Sequence, residues 1–235
     1  GKKEIDAAIA VMKTGVLSGF VANPGAAFLG GTCVLELENS FCKKFGSRFA
    51  VSVNSATSGL HASLAAAGIG FGDEVIVSPY SMSASATSIV MCGAVPIFVD
   101  IEPNTFCLNS KLVAEAITEK TKAIIAVNIF GQAADLTNLK ILANKHKLTL
   151  IEDNAQAPAA KFKGQWTGTI GDMGVFSLNR HKTIQCGEGG VVITNNEKFI
   201  TNLSNYLEIP TDPNLFNQLS DEINSSVKAR EDYKF

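Results

Sequence analysis

Basic charge is not in excess here: 20 lysines and arginines stand against 22 acidic residues, for a formal net charge of −2. A general nucleic-acid surface needs a basic stripe or patch, so the balance argues against a nucleic-acid partner. The basic residues are scattered, with no block beyond the pairs Lys2-Lys3 and Lys43-Lys44. The five cysteines, Cys33, Cys42, Cys92, Cys107 and Cys186, include no pair at metal or redox spacing, and an odd count does not make a disulfide framework. That usage predicts a reducing, cytoplasmic compartment and no metal site. Long apolar runs are also missing. The N-terminus lacks the apolar region of a signal peptide. The most apolar stretch, 89–99, is short and broken by Gly93 and Pro96, so no membrane partner is expected. No internal repeat or low-complexity tract stands out.

What is present is apolar substance. Of 235 residues 46% are hydrophobic, enough for one large α/β domain with a good core. The pattern predicts helices over 5–13, 35–45, 58–67, 84–92, 112–117, 136–146 and 197–207. Strands are predicted over 50–53, 74–77, 96–99, 123–129, 148–151, 174–177 and 190–194. Short β-rich runs separated by helices predict a three-layer α/β fold: a mostly parallel sheet with helices on both faces. Gly68-Ile69-Gly70-Phe71-Gly72 precedes a strand, the reverse of a dinucleotide loop, and reads as a turn. Asp100 reads as a turn or cap residue, His61 and His146 as packed or solvated helix residues, and Trp166 as a loop or interface residue.

Three stretches carry candidate chemistry. In the first, Lys182 lies between the apolar run ending at Phe176-Ser177 and the Gly189-Gly190 pair that starts the next strand. This places the amine on a loop between two strands. A lysine in a crowded, partly dry site loses its proton more easily and can form a Schiff base with a carbonyl cofactor. The alternative is a solvated loop lysine. In the second, Leu148-Thr149-Leu150-Ile151 ends in Glu152 and Asp153. Ligands of open α/β sheets sit beyond the carboxyl ends of strands, which places Asp153 to meet one. A carboxylate there suits the pyridine nitrogen of pyridoxal phosphate, and Gln156, three residues on, can point at the same ring. Asp153 serves equally well as a helix cap. In the third, a β-rich run gives way to Ser55-Ala56-Thr57 and a helical pattern. The free N–H groups and positive dipole end of such a helix start bind phosphate, or the start is an ordinary cap.

Together these pieces resemble the DegT/DnrJ/EryC1/StrS sugar aminotransferases, within the fold-type I pyridoxal-phosphate enzymes. The resemblance runs from about residue 3 to about residue 207. Further marks are Gly15-Val16-Leu17-Ser18-Gly19, the run from Gly68 to Val77, and the run from Gly93 to Ile101. They continue through Thr121-Lys122-Ala123-Ile124-Ile125, Gly131-Gln132 and Glu152-Asp153-Asn154-Ala155-Gln156. The resemblance implies a pyridoxal-phosphate-dependent transferase large domain over 1–208. It makes Lys182 the Schiff-base lysine and pairs Asp153 with the pyridine nitrogen. Gln156 then lies near the ring oxygen, and Ala56, Thr57 and Ser177, with Ser55 in the same cradle, hold the phosphate. It also implies ping-pong transamination, from glutamate to a keto sugar on a nucleotide diphosphate, by a homodimer with its active site near the subunit interface.

Two departures are visible. Met82 stands where the family places an aromatic residue on the cofactor face, and a thioether can pack on a ring. From about residue 209 a divergent polar tail replaces the expected continuation, so the small C-terminal domain is expected to be absent or truncated. Other readings are a cysteine desulfurase, a non-catalytic pyridoxal-phosphate-binding or regulatory protein, and a sugar dehydratase. Related dehydratases have histidine at the lysine place, and here it is Lys182.

Overall fold

The structure is a computed structural model, and it describes residues 1–17 and 30–206. The described residues fall into two compact units, residues 1–17 with 30–37, and residues 38–206. The first unit contains α1 (Lys2–Thr14), which ends on Gly15 in the left-handed conformation at φ 70°. The Gly15 N–H closes the last turn on the Met12 carbonyl, a glycine C-cap. α2 (Gly31–Phe45) begins in this unit and runs on into the second. The expected polar tail over 209–235 lies outside the described residues, as do Ser18 and Gly19.

The second unit continues with β1 (Phe49–Val53), α3 (Ala56–Ala66), β2 (Glu74–Val77), α4 (Ser83–Met91), β3 (Val95–Phe98), α5 (Ser110–Ala116) and β4 (Thr121–Val127). Then come α6 (Leu136–His146), β5 (Thr149–Asp153), β6 (Lys161–Phe162), β7 (Gln165–Trp166), β8 (Met173–Ser177), β9 (Gly190–Thr194) and α7 (Glu197–Tyr206). Seven strands form one sheet in the order β1-β9-β8-β5-β4-β2-β3. β3, β2, β4, β5 and β8 run parallel, as expected, while β9 is antiparallel to both neighbours. The β8–β9 connection contains no helix, so it makes no crossover and the chain returns antiparallel. All residues of β8 and β9 are buried, and nearly all of β4 and β5. Both faces of the sheet's centre are therefore covered, as a parallel α/β sheet requires. Pro96, which cannot donate to a ladder, lies in β3 at the sheet edge.

α3 packs against β8 and β9 through Gly59. A side chain there would meet Val175 at 2.9 Å and Val192 at 3.1 Å. Three local details depart from the pattern-based expectation. α3 begins at Ala56 instead of 58, because the Ser55 hydroxyl accepts the Ser58 N–H at 3.1 Å and starts the helix early. β4 stops at Val127, and a 3-10 turn over Ile129–Gly131 follows, with Phe130 in the left-handed region at φ 54°. β6 and β7 form a hairpin absent from the apolar pattern. Lys163 and Gly164 turn it, both at positive φ, 49° and 86°. Trp166 sits in this hairpin with the ammonium groups of Lys161 and Lys44 at 4.2 and 4.9 Å from its ring centre.

Candidate active site

The sheet order brings the three candidate stretches to one edge. β1, β8 and β5 all run the same way, so their carboxyl ends face the same side. β9 enters between β1 and β8 at Gly190, which pairs with Val53 on one side and Ser177 on the other. α3 starts directly above this row. A side chain at 190 would lie 2.8 Å from the Ala56 nitrogen and 2.9 Å from the Phe176 carbonyl oxygen. Only glycine lets the helix start sit so close to the strand ends.

That closeness exposes a usable donor set. The Ser55 hydroxyl is taken up by the Ser58 N–H, and the Ser55 carbonyl by the Gly59 N–H. Among the described residues the Ala56 and Thr57 N–H groups have no acceptor. They are orphan donors at the positive end of a helix, where a phosphate group fits. Ser177, buried at the end of β8 and in register with Gly190, lies beside the same row, its hydroxyl oxygen accepting the Asn179 N–H at 3.3 Å. Ser55 is thus engaged as the cap, and the donors left free at the helix start are those of Ala56 and Thr57.

Asp153 ends β5 and is 5% exposed. Its Oδ1 accepts the Ala155 N–H at 3.0 Å and its Oδ2 the Ser85 hydroxyl at 2.8 Å. Burial pushes its carboxyl above the usual range; the Ala155 and Ser85 hydrogen bonds and the Lys182 ammonium pull it back. Lys182 lies in the β8–β9 loop, as its sequence context predicts, and is half-buried. Its backbone N–H bonds the Asn179 carbonyl at 2.9 Å, which holds the loop in a tight turn. Among the described residues its Nζ makes no ion pair or hydrogen bond. The pieces fit pyridoxal phosphate: a cradle of orphan N–H groups for the phosphate, a buried carboxylate with spare acceptor capacity for a ring nitrogen, and an unpartnered amine within electrostatic reach.

The remaining predicted positions are less committed. The Gln156 side-chain oxygen accepts the Phe130 N–H at 3.0 Å, which ties the segment after β5 to the turn after β4. Met82 precedes α4 and is 67% exposed. Asp100 accepts the N–H of Ile101, a local turn role as expected. Cys186 is exposed and bonds the Glu188 carbonyl within its own loop. Pattern reading missed Ser85, which is fully buried in α4 and reaches Asp153 across the site. It also missed Asn128, whose amide joins Glu152 and Asn154 at 3.2 and 2.6 Å. The available signal for Ser85 was the serine-rich run from Ser81 to Ser88 at the start of α4, because serines have poor helix propensity and need partners if buried.

The GDP-perosamine synthase of Caulobacter vibrioides is 41% identical over 167 residues, 71% of this chain and 45% of that protein. A solved aminotransferase from Psychrobacter cryohalolentis superposes with TM-score 0.80 at 34% identity, covering 86% of this chain and 49% of that one. The GDP-4-keto-6-deoxy-D-mannose-3-dehydratase of E. coli, solved with hydrated pyridoxal phosphate bound, superposes with TM-score 0.74 at 30% identity, over 83% of this chain and 49% of that one. The expected cofactor is thus the one a solved relative carries. The chain spans less than half the length of the curated relatives it matches. The family model for these aminotransferases matches residues 20–221, and the chain belongs to the DegT/DnrJ/EryC1/StrS aminotransferase family.

Proposed function

We propose that this chain is the cofactor-holding part of a pyridoxal-phosphate-dependent aminotransferase that moves an amino group from glutamate to a nucleotide-linked keto sugar. The observation that carries the reading is the meeting of Lys182, Asp153 and the free N–H groups of Ala56 and Thr57 at one sheet edge. The family supports the reaction class, and a sugar-nucleotide relative supports the substrate class. A lysine at 182, where related dehydratases have histidine, supports transamination over dehydration.

The chemistry supplied by pyridoxal phosphate, when bound, is a carbonyl carbon that joins an amine and a ring that takes up an electron pair. Ala56 and Thr57 N–H, with the Ser177 hydroxyl, bind the phosphate. The Asp153 carboxylate holds a proton at the ring nitrogen. Met82 and Gln156 would flank the ring. Lys182 Nζ would hold the cofactor's carbonyl carbon and, when free, would be the base and acid that moves the donor's α-proton. The same groups would serve the keto sugar that takes up the nitrogen. The reading includes a homodimer with its site near the interface, on the family likeness. Five free cysteines support a reducing compartment, the cytoplasm. Among the described residues no helix is long and apolar enough to cross a membrane.

Absorption spectra test the proposal. The protein reconstituted with pyridoxal phosphate should show a cofactor band that Lys182→Ala abolishes and that glutamate shifts. A band indifferent to the lysine overturns the site assignment, and one indifferent to glutamate overturns the donor.

A further inference from the structure

The buried carboxylate at the end of β5 does not stand alone. Ser85 Oγ lies 2.8 Å from Asp153 Oδ2, and Ser81 Oγ lies 2.9 Å from Ser85 Oγ. Ser85 is 1% exposed, and Ser81 is half-buried. A hydroxyl has one proton to give, and an ionised carboxylate only accepts. With Asp153 ionised, Ser85 must donate to it, and Ser81 must then donate to Ser85. The hydrogen-bond chain has a fixed direction, from a half-buried hydroxyl to a buried anion. The Ala155 N–H at 3.0 Å fixes the other oxygen, Oδ1. Each oxygen thus carries one donor and keeps room for another, so the carboxylate is oriented without being saturated.

We infer that Ser85, backed by Ser81, is a positioning residue that keeps the Asp153 carboxylate ionised and aimed at the cofactor's ring nitrogen. This rests on the functional reading given above. In a dry site the Asp153–ring-nitrogen pair has two forms, a carboxylate beside a ring cation or a neutral acid beside a neutral ring. Desolvation favours the neutral form, and donors to the carboxylate favour the ionic one. Ser85 is a charge-assisted donor, and Ser81 polarises it. Removing Ser85 moves the shared proton from the ring toward Asp153, and the ring loses its positive charge. Ser85 also anchors its own helix turn, its N–H on the Met82 carbonyl and its carbonyl under the Ser88 hydroxyl, so the backbone stays in place when the hydroxyl is deleted.

The test is a pH titration of the bound cofactor's visible absorbance in the reconstituted protein, for the parent and for Ser85→Ala, Ser85→Thr and Ser81→Ala. A charged ring lowers the proton affinity of the nitrogen joined to Lys182. Ser85→Ala should therefore move the midpoint upward by about one to two pH units, the size of one hydrogen bond to a charged group. Cofactor loading should persist. Ser81→Ala, at a more open position, should move the midpoint in the same direction by less, and it covers the case in which Ser85→Ala fails to fold. Ser85→Thr should restore the parent midpoint, because it returns the hydroxyl. An unchanged midpoint in a loaded Ser85→Ala or Ser81→Ala protein overturns the positioning role and leaves the functional reading intact. A parent protein whose cofactor band does not depend on Lys182 overturns both.

Discussion

Glu152 and Asp153 are neighbours in the chain, both buried, and they do opposite things. Successive strand residues point to opposite faces. Glu152 turns toward the loop before β8, where it accepts the N–H groups of Gly168, Ile170 and Gly171 at 2.6–2.8 Å and the Asn128 amide at 3.2 Å. All four donors are N–H groups, so a protonated carboxyl would set its own hydrogen against one of them. Burial pushes the Glu152 carboxyl up, and those four bonds pull it back. Asp153 turns toward α4 and takes only the Ser85 hydroxyl and the Ala155 N–H. The saturated carboxylate holds the loop before β8, and the unsaturated one keeps room for a further donor. A buried ionisable group with spare capacity in a site is a functional candidate, and that is the basis of the proposed role of Asp153.

The sharpest way to break this contrast is to delete Glu152. Glu152→Leu leaves three backbone donors without partners and should cost about 3–5 kcal/mol of unfolding free energy in urea titrations. A loss below about 1 kcal/mol would mean that the loop holds itself. Asp153→Asn should behave differently. It should change stability by about 1 kcal/mol or less, keep the cofactor loaded, and lower the glutamate half-reaction about a hundredfold or more. Equal half-reaction rates in variant and parent would remove Asp153 from its assigned role.

Gly190→Ala probes the proposed phosphate cradle at the start of α3. Its methyl group meets the Ala56 nitrogen and the Phe176 carbonyl, so the start of α3 must shift. Stability should fall by about 1–3 kcal/mol, and cofactor affinity with it. Full affinity with unchanged stability would show that the helix start tolerates displacement. The smallest effect concerns pH. Without cofactor, the Asp153 carboxyl is held above its usual value, chiefly by burial. A raised folded-state value favours the protonated form, so its contribution to stability is complete below the unfolded-state value, about 3.9, and fades as pH rises through the folded-state value. Cofactor-free parent should therefore lose stability relative to Asp153→Asn as pH rises from about 4. A constant difference across that range would refute the burial argument.

Much of this was legible in the sequence, for physical reasons. Strand ends are local, so Asp153 after Leu150-Ile151 and the helix start after Val53 follow from apolar patterning and turn chemistry. The loop position of Lys182 follows from the strands on either side of it. The wiring between elements was not legible. Ser85 and Asp153 are 68 residues apart in sequence, and the Asn128–Glu152 contact spans 24, so neither has a short-range signature. The antiparallel entry of β9 was equally hidden, because residues 190–194 read as a buried strand in either direction. The hairpin of β6 and β7 escaped because its strands are too short to show alternation and its turn is Lys163-Gly164 instead of an asparagine-glycine pair.

The central claim is that Lys182 is the covalent anchor of the cofactor, and borohydride reduction tests it most directly. The protein loaded with pyridoxal phosphate, reduced, digested and mapped by mass spectrometry should carry a single tag, on Lys182. A tag on any other lysine, or none in fully loaded protein, would contradict the account.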